Sequence, residues 1–347
     1  MSSSHKLTTP QSVAVIGGGL AGICCATALS ASVTDVTVFE ASDEVGGRLR
    51  SLVIDGVAAD YGAQYFTARS DEFTEQIKIW RDDWLVDEWQ GWLVDLHNGQ
   101  AISHVDNVAR YVGRPQMQVM VSALAESCNV RCGVTVDVIK REQQRWSLAA
   151  AGIELGKFDA VVLAVPAPQA MALLNVWPEA QQELAAVEIM PCWSLALQFA
   201  EPLAVGYDGA YVLESPLAWI ARDSSKPERS GADTGPEIWI LQASPEWSEM
   251  HSHLSQSEVS ALLVAAFCQA TQISLPALER QRLHYWPYAQ TVRPLGAAYL
   301  YSPALQLGIC GDWCLRGRVE AAFQSADALA KRMLRDDDIS DNSLVEG

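Results

Sequence analysis

Val13-Ala14-Val15-Ile16 runs straight into Gly17-Gly18-Gly19-Leu20-Ala21-Gly22, and this junction constrains the chain more than any other stretch. Four β-prone residues meet Gly-x-Gly-x-x-Gly. Helix-compatible residues 23–29 follow. Val36-Thr37-Val38-Phe39 then reads as a second strand ending on Glu40, 18 residues after Gly22. A ribose-binding acid in a dinucleotide site stands about 20 residues on. The order strand, tight turn, helix, strand, acid is that of a nucleotide-binding βαβ unit. Gly17 permits the sharp turn, Gly19 lets a pyrophosphate approach the backbone, and Gly22 lets helix and strand pack closely. Leu20 and Ala21 open a helix whose free N–H groups and positive end suit phosphates. No Arg follows Glu40 directly, which favours a free 2′-hydroxyl, hence FAD or NAD rather than NADP.

A second signal follows at Gly46-Gly47-Arg48. The glycines allow a bend beside the cofactor, and Arg48 can reach the pyrophosphate as a charge-assisted donor. An NAD-only domain does not need this extension, so it tilts the cofactor towards FAD.

The chain has 347 residues, enough for two domains, and 49% hydrophobic residues, enough for a large core. Its net charge of −18 argues against nucleic acid or an anionic membrane surface as a partner. The pairs Cys128/Cys132 and Cys310/Cys314 lack nearby His partners and do not resemble zinc pairs, so no metal is expected and the thiols read as reduced. The polar N-terminus has no signal core and no apolar run reaches a membrane span. A cytoplasmic protein is expected.

Residues 70–92 read as helix, with Phe73, Ile77, Trp80 and Trp84 on one face at core spacing. A helix over 119–127 precedes strands at 130–138, 145–149 and 161–165, the middle ones forming a meander. From 178 to about 292 the strands alternate (193–199, 211–213, 239–243), which suits an antiparallel sheet roofing a pocket. The loop Arg222-Asp223-Ser224-Ser225-Lys226-Pro227-Glu228-Arg229 offers three cations to a phosphate-bearing substrate, or else to solvent. A helix over 258–269 carries Val259, Leu262, Leu263, Ala266 and Phe267 as its apolar side. Late in the chain, Leu307–Ile309 leads to Gly311-Asp312, and a helix begins at Val319.

These features together resemble the amine-oxidase-like FAD flavoproteins, and within them the bacterial renalases. The stretches that carry the resemblance are Gly62-Ala63-Gln64-Tyr65-Phe66-Thr67-Ala68-Arg69, Pro216-Leu217-Ala218-Trp219-Ile220-Ala221-Arg222 with Ser225-Lys226-Pro227, and Gly311-Asp312-Trp313-Cys314-Leu315-Arg316-Gly317-Arg318-Val319-Glu320. The resemblance implies a Rossmann-type α/β domain, discontinuous in sequence, that binds FAD noncovalently. It also implies a substrate domain on a mixed, mostly antiparallel β-sheet with helices. The expected division is a disordered lead over 1–11, an FAD-binding domain over 12–69, 103–175 and 293–335, a substrate domain over 70–102 and 176–292, and an acidic tail over 336–347. Carried over by motif, Gly17, Gly19, Leu20, Ala21 and Gly22 would meet the pyrophosphate, Glu40 the adenosine ribose, and Gly47 and Arg48 the phosphates. Val136 would face the adenine, Gly311 and Asp312 the ribityl end, Val319 the flavin pyrimidine, and Gln64 the ring. Gln64, Tyr65, Arg222, Gln242 and Trp286 are the substrate-pocket candidates. Two positions depart from the pattern: Gln242 stands where His is usual, and Gln116 where Gly is usual.

The resemblance further implies oxidation of 2- or 6-dihydro-NAD(P) to NAD(P)⁺, with O2 reduced to H2O2. A dihydropyridine that loses a hydride becomes aromatic with no proton left to remove, so no side-chain base is required. Two other readings share the FAD motifs: an amine oxidase or dehydrogenase of an apolar substrate, and a non-catalytic FAD-binding redox sensor.

Overall fold

The computed structural model describes residues 10–229, 236–276 and 278–335. Apart from residues 10 and 11, the expected lead lies outside the described residues, as does the acidic tail 336–347.

The opening motif folds as its spacing requires. Ser12–Ile16 is a fully buried strand, Leu20–Ser30 a helix and Asp35–Phe39 the next strand. These strands pair in parallel, and Ala160–Leu163 joins Ser12–Ile16 on the other side. Asn129–Arg131, Leu307–Ile309 and Leu300–Ser302 complete a six-stranded sheet, parallel except for the last strand. Helices Leu20–Ser30 and Val319–Met333 cover one face with Ile23, Leu29, Ala326 and Leu329. The other face packs under the meander Val138–Glu142, Arg145–Ala150 and Ile153–Phe158 through Trp146, Leu148 and Phe158.

The second sheet has seven strands. In spatial order they are Leu278–Arg293, Glu188–Phe199, Glu237–Ala243, Leu217–Arg222, Gly209–Val212, Leu93–His97 and Gln100–Ser103. Only Gly209–Val212 and Leu93–His97 run parallel, so the sheet is mixed and mostly antiparallel. Its back face takes Val259, Leu263 and Phe267 of helix Gln256–Thr271 against Leu195, Leu197 and Leu241. Its front face takes the hairpin Ser51–Ile54 and Val57–Asp60, where Ile54 and Ala59 meet Ala196, Ile238 and Ile240. The chain is therefore a discontinuous Rossmann-like FAD-binding domain joined to a domain built on a mixed sheet with helices.

Several elements differ from the sequence reading. The helix expected over 70–92 spans Asp71–Asp82 only, capped by Ser70, whose side chain accepts from Phe73 N. Trp84 has φ +63 and is exposed, so the periodic face ends at Trp80. Trp89 is buried off the helix, and its indole donates to Ser225 Oγ. The strand expected over 130–138 is two strands, because the chain leaves the parallel sheet after Arg131 and enters the meander at Val138. Leu262 of the later helix is exposed, not part of its buried side. No helix among the described residues is long and apolar enough to cross a membrane.

Candidate functional site

The glycine turn forms an open cradle. Gly17 takes φ +110 and its N–H donates to Phe39 O at 2.8 Å. Helix Leu20–Ser30 has Gly19 as its N-cap, with no side chain capping it. The first amide to bond back is that of Ile23, to Gly19 O. The N–H groups of Leu20, Ala21 and Gly22 therefore have no intrahelical partner. A side chain on Gly19 would find no protein atom closer than Gly47 Cα at 3.9 Å, so the protein itself does not fill the space above this turn. An unclaimed space facing three free amides at a helix N-terminus fits a diphosphate. Gly22 is glycine for a different reason: a Cβ there would lie 1.8 Å from Gly17 O.

Glu40 is buried at the end of the second strand, and its carboxylate accepts from Gly18 N at 2.6 Å and Ser42 N at 2.8 Å. These bonds fix the carboxylate while leaving lone pairs for ribose hydroxyls. The Glu40 carbonyl takes Val134 N, which brings buried Val136 to the same end of the sheet. Replacing Glu40 with Ala is expected to weaken FAD binding about tenfold or more, through loss of charge-assisted bonds to the turn and ribose. Titration of the apoprotein with FAD checks this, and unchanged affinity would remove Glu40 from the site.

Gly46-Gly47-Arg48 closes over the cradle from the other side. Gly46 N donates to Gly18 O, and Gly19 and Gly46 form a parallel bridge. Arg48 pairs with Asp312 and donates to Ala289 O. Gly311 N is held by Ser325 Oγ at 2.9 Å, and Val319 opens helix Val319–Met333 with no side chain capping it. Two ends of the chain thus meet at one place, as the motif reading expects. The residues present fit an extended dinucleotide such as FAD.

Beyond the cradle, Tyr61–Tyr65 runs under the front face of the seven-stranded sheet. Cross-strand register puts Tyr211, Trp219, Gln242, Ser194 and His284 in one row across five strands, and side chains in register share a face. Gln242 donates to Gly62 O at 2.6 Å. Trp286 donates to Tyr61 O at 3.2 Å, and its ring stacks on Tyr61 at 4.9 Å and 27°. His284 meets both rings edge-on. Burial and the nearby Arg50 charge lower the His284 pKa, so its imidazole is neutral at pH 7. Tyr65 hydrogen-bonds to the Tyr211 hydroxyl, packs beside Trp219 and lies under the Arg110 guanidinium. Burial pushes the Tyr65 phenol upward, so it too stays neutral. The wall is aromatic and amide-lined, with the Arg110 guanidinium over Tyr65 and the Arg50 charge near His284.

Two pocket candidates are corrected. Arg222 turns away to Asp208 and to Glu237, so it is not a substrate cation. Gln64 is buried with both amide ends taken. Its nitrogen donates to Asp60 O and Gly62 O, and its oxygen accepts from Lys226 Nζ at 3.3 Å. Lys226 and Arg229 also leave the phosphate-binding role expected of their loop. Lys226 is 1% exposed and lies 2.6 Å from Asp223 and 3.4 Å from Asp60. Arg229 pairs with Asp60 and sits 3.6 Å from Asp223. The loop is neither a phosphate claw nor a solvated turn. It is a buried quartet of two cations and two carboxylates, which braces the segment from Asp60 to Gln64. Burial pushes the Asp60 carboxyl up, but Arg229 and Lys226 together outweigh it and hold the group below its ordinary value. For Asp223 burial prevails and the carboxyl is raised.

Sequence reasoning missed Asp60 and Asp223 as ion-pair partners, and His284 and Ser194 as neighbours of Gln242. Asp60 is 166 residues from Lys226 and carries no local motif. The alternation of Ser194 and Gln242 within their strands was the available signal, but register alone joins them.

Comparison with known proteins agrees with this architecture. The NAD(P)-binding Rossmann-like domain family matches residues 15–81. Renalase of Mus musculus is 23% identical over 93% of this chain and 98% of that protein. Polyamine oxidase 4 of Oryza sativa subsp. japonica is 46% identical over 61 residues, 18% of this chain and 12% of that protein. Among solved structures, one from Exiguobacterium sp. 255-15, provisionally named a protoporphyrinogen oxidase, superposes with a TM-score of 0.78 at 12% identity, covering 96% of this chain and 99% of its own. A triple mutant of putrescine oxidase superposes with a TM-score of 0.73 at 14% identity, covering 93% and 98%. These two likenesses carry the fold.

Proposed function

We propose that this chain, a member of the Rossmann-fold amine-oxidase and renalase-like flavoprotein superfamily, is an FAD-dependent oxidase. It takes a hydride from a flat, largely apolar organic substrate and delivers the electrons to O2 as H2O2. The observation that carries the reading is the Tyr61–Trp286 stack beside Gln242, set against the segment that leads out of the cofactor cradle. Bound FAD supplies the hydride acceptor and its reoxidation by O2. The protein's own residues bind, orient and exclude water. Tyr65, Trp219 and Trp286 wall the substrate ring. The Gln242 carbonyl oxygen, free while its nitrogen holds Gly62 O, accepts a hydrogen bond from the substrate. The buried quartet holds Tyr61–Tyr65 in place, so that the donor carbon can approach to the roughly 3–3.5 Å that transfer needs.

Two substrate classes meet these requirements. Porphyrinogen-like rings find support in the fold shared with the Exiguobacterium structure. Dihydronicotinamides find it in the similarity to mouse Renalase, which runs through nearly the whole chain. A diamine such as putrescine fits less well, because Asp60 and Asp223 are already neutralised by Lys226 and Arg229. Anaerobic mixing of the FAD-loaded protein with 2- or 6-dihydro-NAD, coproporphyrinogen or putrescine tests the assignment. Absorbance near 450 nm is expected to bleach with one of the flat donors and not with putrescine. Bleaching by putrescine alone would overturn the substrate class, and none with any donor would sink the oxidase reading.

A further inference from the structure

Three arginines gather where the late helix begins. Arg69 ends the segment Tyr65–Arg69, and its backbone N–H donates to Glu320 Oε1 at 3.2 Å, which places it against the first turn of helix Val319–Met333. Arg318 is the N-cap of that helix, and Arg316 lies two residues before it. Gly317 between them takes φ +65, and any side chain there would strike Thr291 Cβ at 2.7 Å, so this turn holds the two arginines on a fixed bend. None of the three guanidinium groups makes a hydrogen bond or ion pair among the described residues. By contrast, Arg48, Arg110, Arg114, Arg222 and Arg229 each meet a carboxylate. The neighbouring carboxylate, Glu320, is buried and spends Oε1 on the amides of Arg69 and Ser70. Burial first, and then the Arg69 and Arg316 charges, disfavour the cationic form of Arg318, and the Glu320 charge offsets them only in part.

A protein of net charge −18 that sets three arginines together, with Glu320 the one carboxylate acting on Arg318 and no ion pair formed among the described residues, holds a local positive field in a negative surround. The free amides of the helix N-terminus add to it. The position also matters: Arg69 follows Tyr65 of the substrate wall by four residues, and Arg316 and Arg318 follow Asp312 of the cradle.

We infer that Arg69, Arg316 and Arg318 form an oxyanion-binding subsite that receives a phosphate or carboxylate carried by the substrate at the mouth of the hydride-transfer site. This deepens the oxidase reading and rests on it for the word substrate. It makes the substrate a flat ring with an anionic arm, which both dihydronicotinamide nucleotides and porphyrinogen carboxylates possess and polyamines lack. Bidentate guanidinium donors suit either oxyanion.

The test uses FAD-loaded enzyme, so that the cofactor already fills its own phosphate site. Inorganic pyrophosphate and citrate are titrated separately, and the melting temperature is followed, since a ligand that binds only the folded state raises it. One of the two is expected to stabilise the wild type, and the triple variant Arg69→Gln, Arg316→Gln, Arg318→Gln is expected to weaken that ion's affinity about tenfold or more. A stronger response to pyrophosphate assigns a phosphate arm, and a stronger response to citrate a carboxylate arm. Arg316→Gln alone changes an exposed side chain, so it keeps the test open if the triple variant does not fold, and about threefold weakening is expected there. No stabilisation by either ion, equal stabilisation of wild type and variants, or loss of FAD from the variants would overturn the subsite. The measurement needs no turnover, so a failed bleaching assay would sink the oxidase reading without touching the ion binding.

Discussion

Asp60→Asn is expected to destabilise the protein by about 3–5 kcal/mol, the cost of removing one partner from a buried ion pair. The substitution leaves Lys226 and Arg229 sharing Asp223, with both cations almost fully buried. It also weakens the acceptors for Met117 N at 2.9 Å and Ser51 Oγ at 2.7 Å. Equilibrium denaturation measures the loss. A second variant, Asp60→Asn with Lys226→Met, restores the charge count and is expected to recover part of it. A loss below about 1 kcal/mol for Asp60→Asn would mean that water reaches the quartet. The pH dependence has a definite sign. Asp60 is held below its ordinary value, so its contribution is complete at neutral pH and is lost as pH falls through its folded pKa. Asp223 is raised, so it takes up its proton first on the way down, and its own contribution has the opposite sign, favouring the folded state as that proton binds. His284 has the same sign as Asp60: its folded pKa is lowered, so the unfolded chain binds the proton more readily in acid. Stability should therefore fall on the acid side, in a wild-type profile that Asp60→Asn flattens.

Gly22→Ala is expected to yield protein nearly free of flavin. The added Cβ would lie 1.8 Å from Gly17 O and 3.2 Å from Ala164 Cβ. Both the glycine turn and the helix that follows must move apart to accept it. Overpacking a tight interior costs about 1–3 kcal/mol, and here the opposing atom is backbone carbonyl, which cannot swing aside. The displacement falls on the turn that presents the amides of Leu20 and Ala21. The ratio of absorbance at 450 nm to that at 280 nm in the purified variant reads the outcome. Stoichiometric flavin in Gly22→Ala would show that the turn is not the pyrophosphate anchor.

The cradle was legible in the sequence because its logic is local. Gly17, Gly19, Gly22 and Glu40 lie within one βαβ unit, where Gly22 meets the Gly17 carbonyl, Glu40 holds the Gly18 amide, and Gly19 leaves the space above the turn open. The meander and the alternating strands were legible for the same reason. Helix length was not, where a backbone conformation intervened: Trp84 continues the apolar spacing of Phe73, Ile77 and Trp80, yet takes a left-handed conformation that ends the helix. Long-range charge pairing was not legible either. Arg222, Lys226 and Arg229 look alike in a loop, but their fates are decided by Asp208, Glu237 and Asp60, which come from distant strands. A cluster of cations in sequence therefore predicts a phosphate site only when no buried carboxylate competes for it. Beside Arg69, Arg316 and Arg318 the buried carboxylate is Glu320, whose Oε1 is held by backbone amides, and these are the arginines proposed to answer the expectation first placed on the loop.

The pairing of Arg48 with Asp312 bridges 264 residues. The strand Leu307–Ile309 that leads to Asp312 also docks late, on Ala160–Leu163. During synthesis the glycine turn leaves the ribosome early, but Asp312, the partner of Arg48, arrives only after most of the polypeptide has been made. At about 5–20 residues per second, the interval is on the order of ten to fifty seconds. The nascent N-terminal unit thus exposes an incomplete cradle for much of translation. A complete cradle therefore belongs to the end of biogenesis, when the last helix packs on the first.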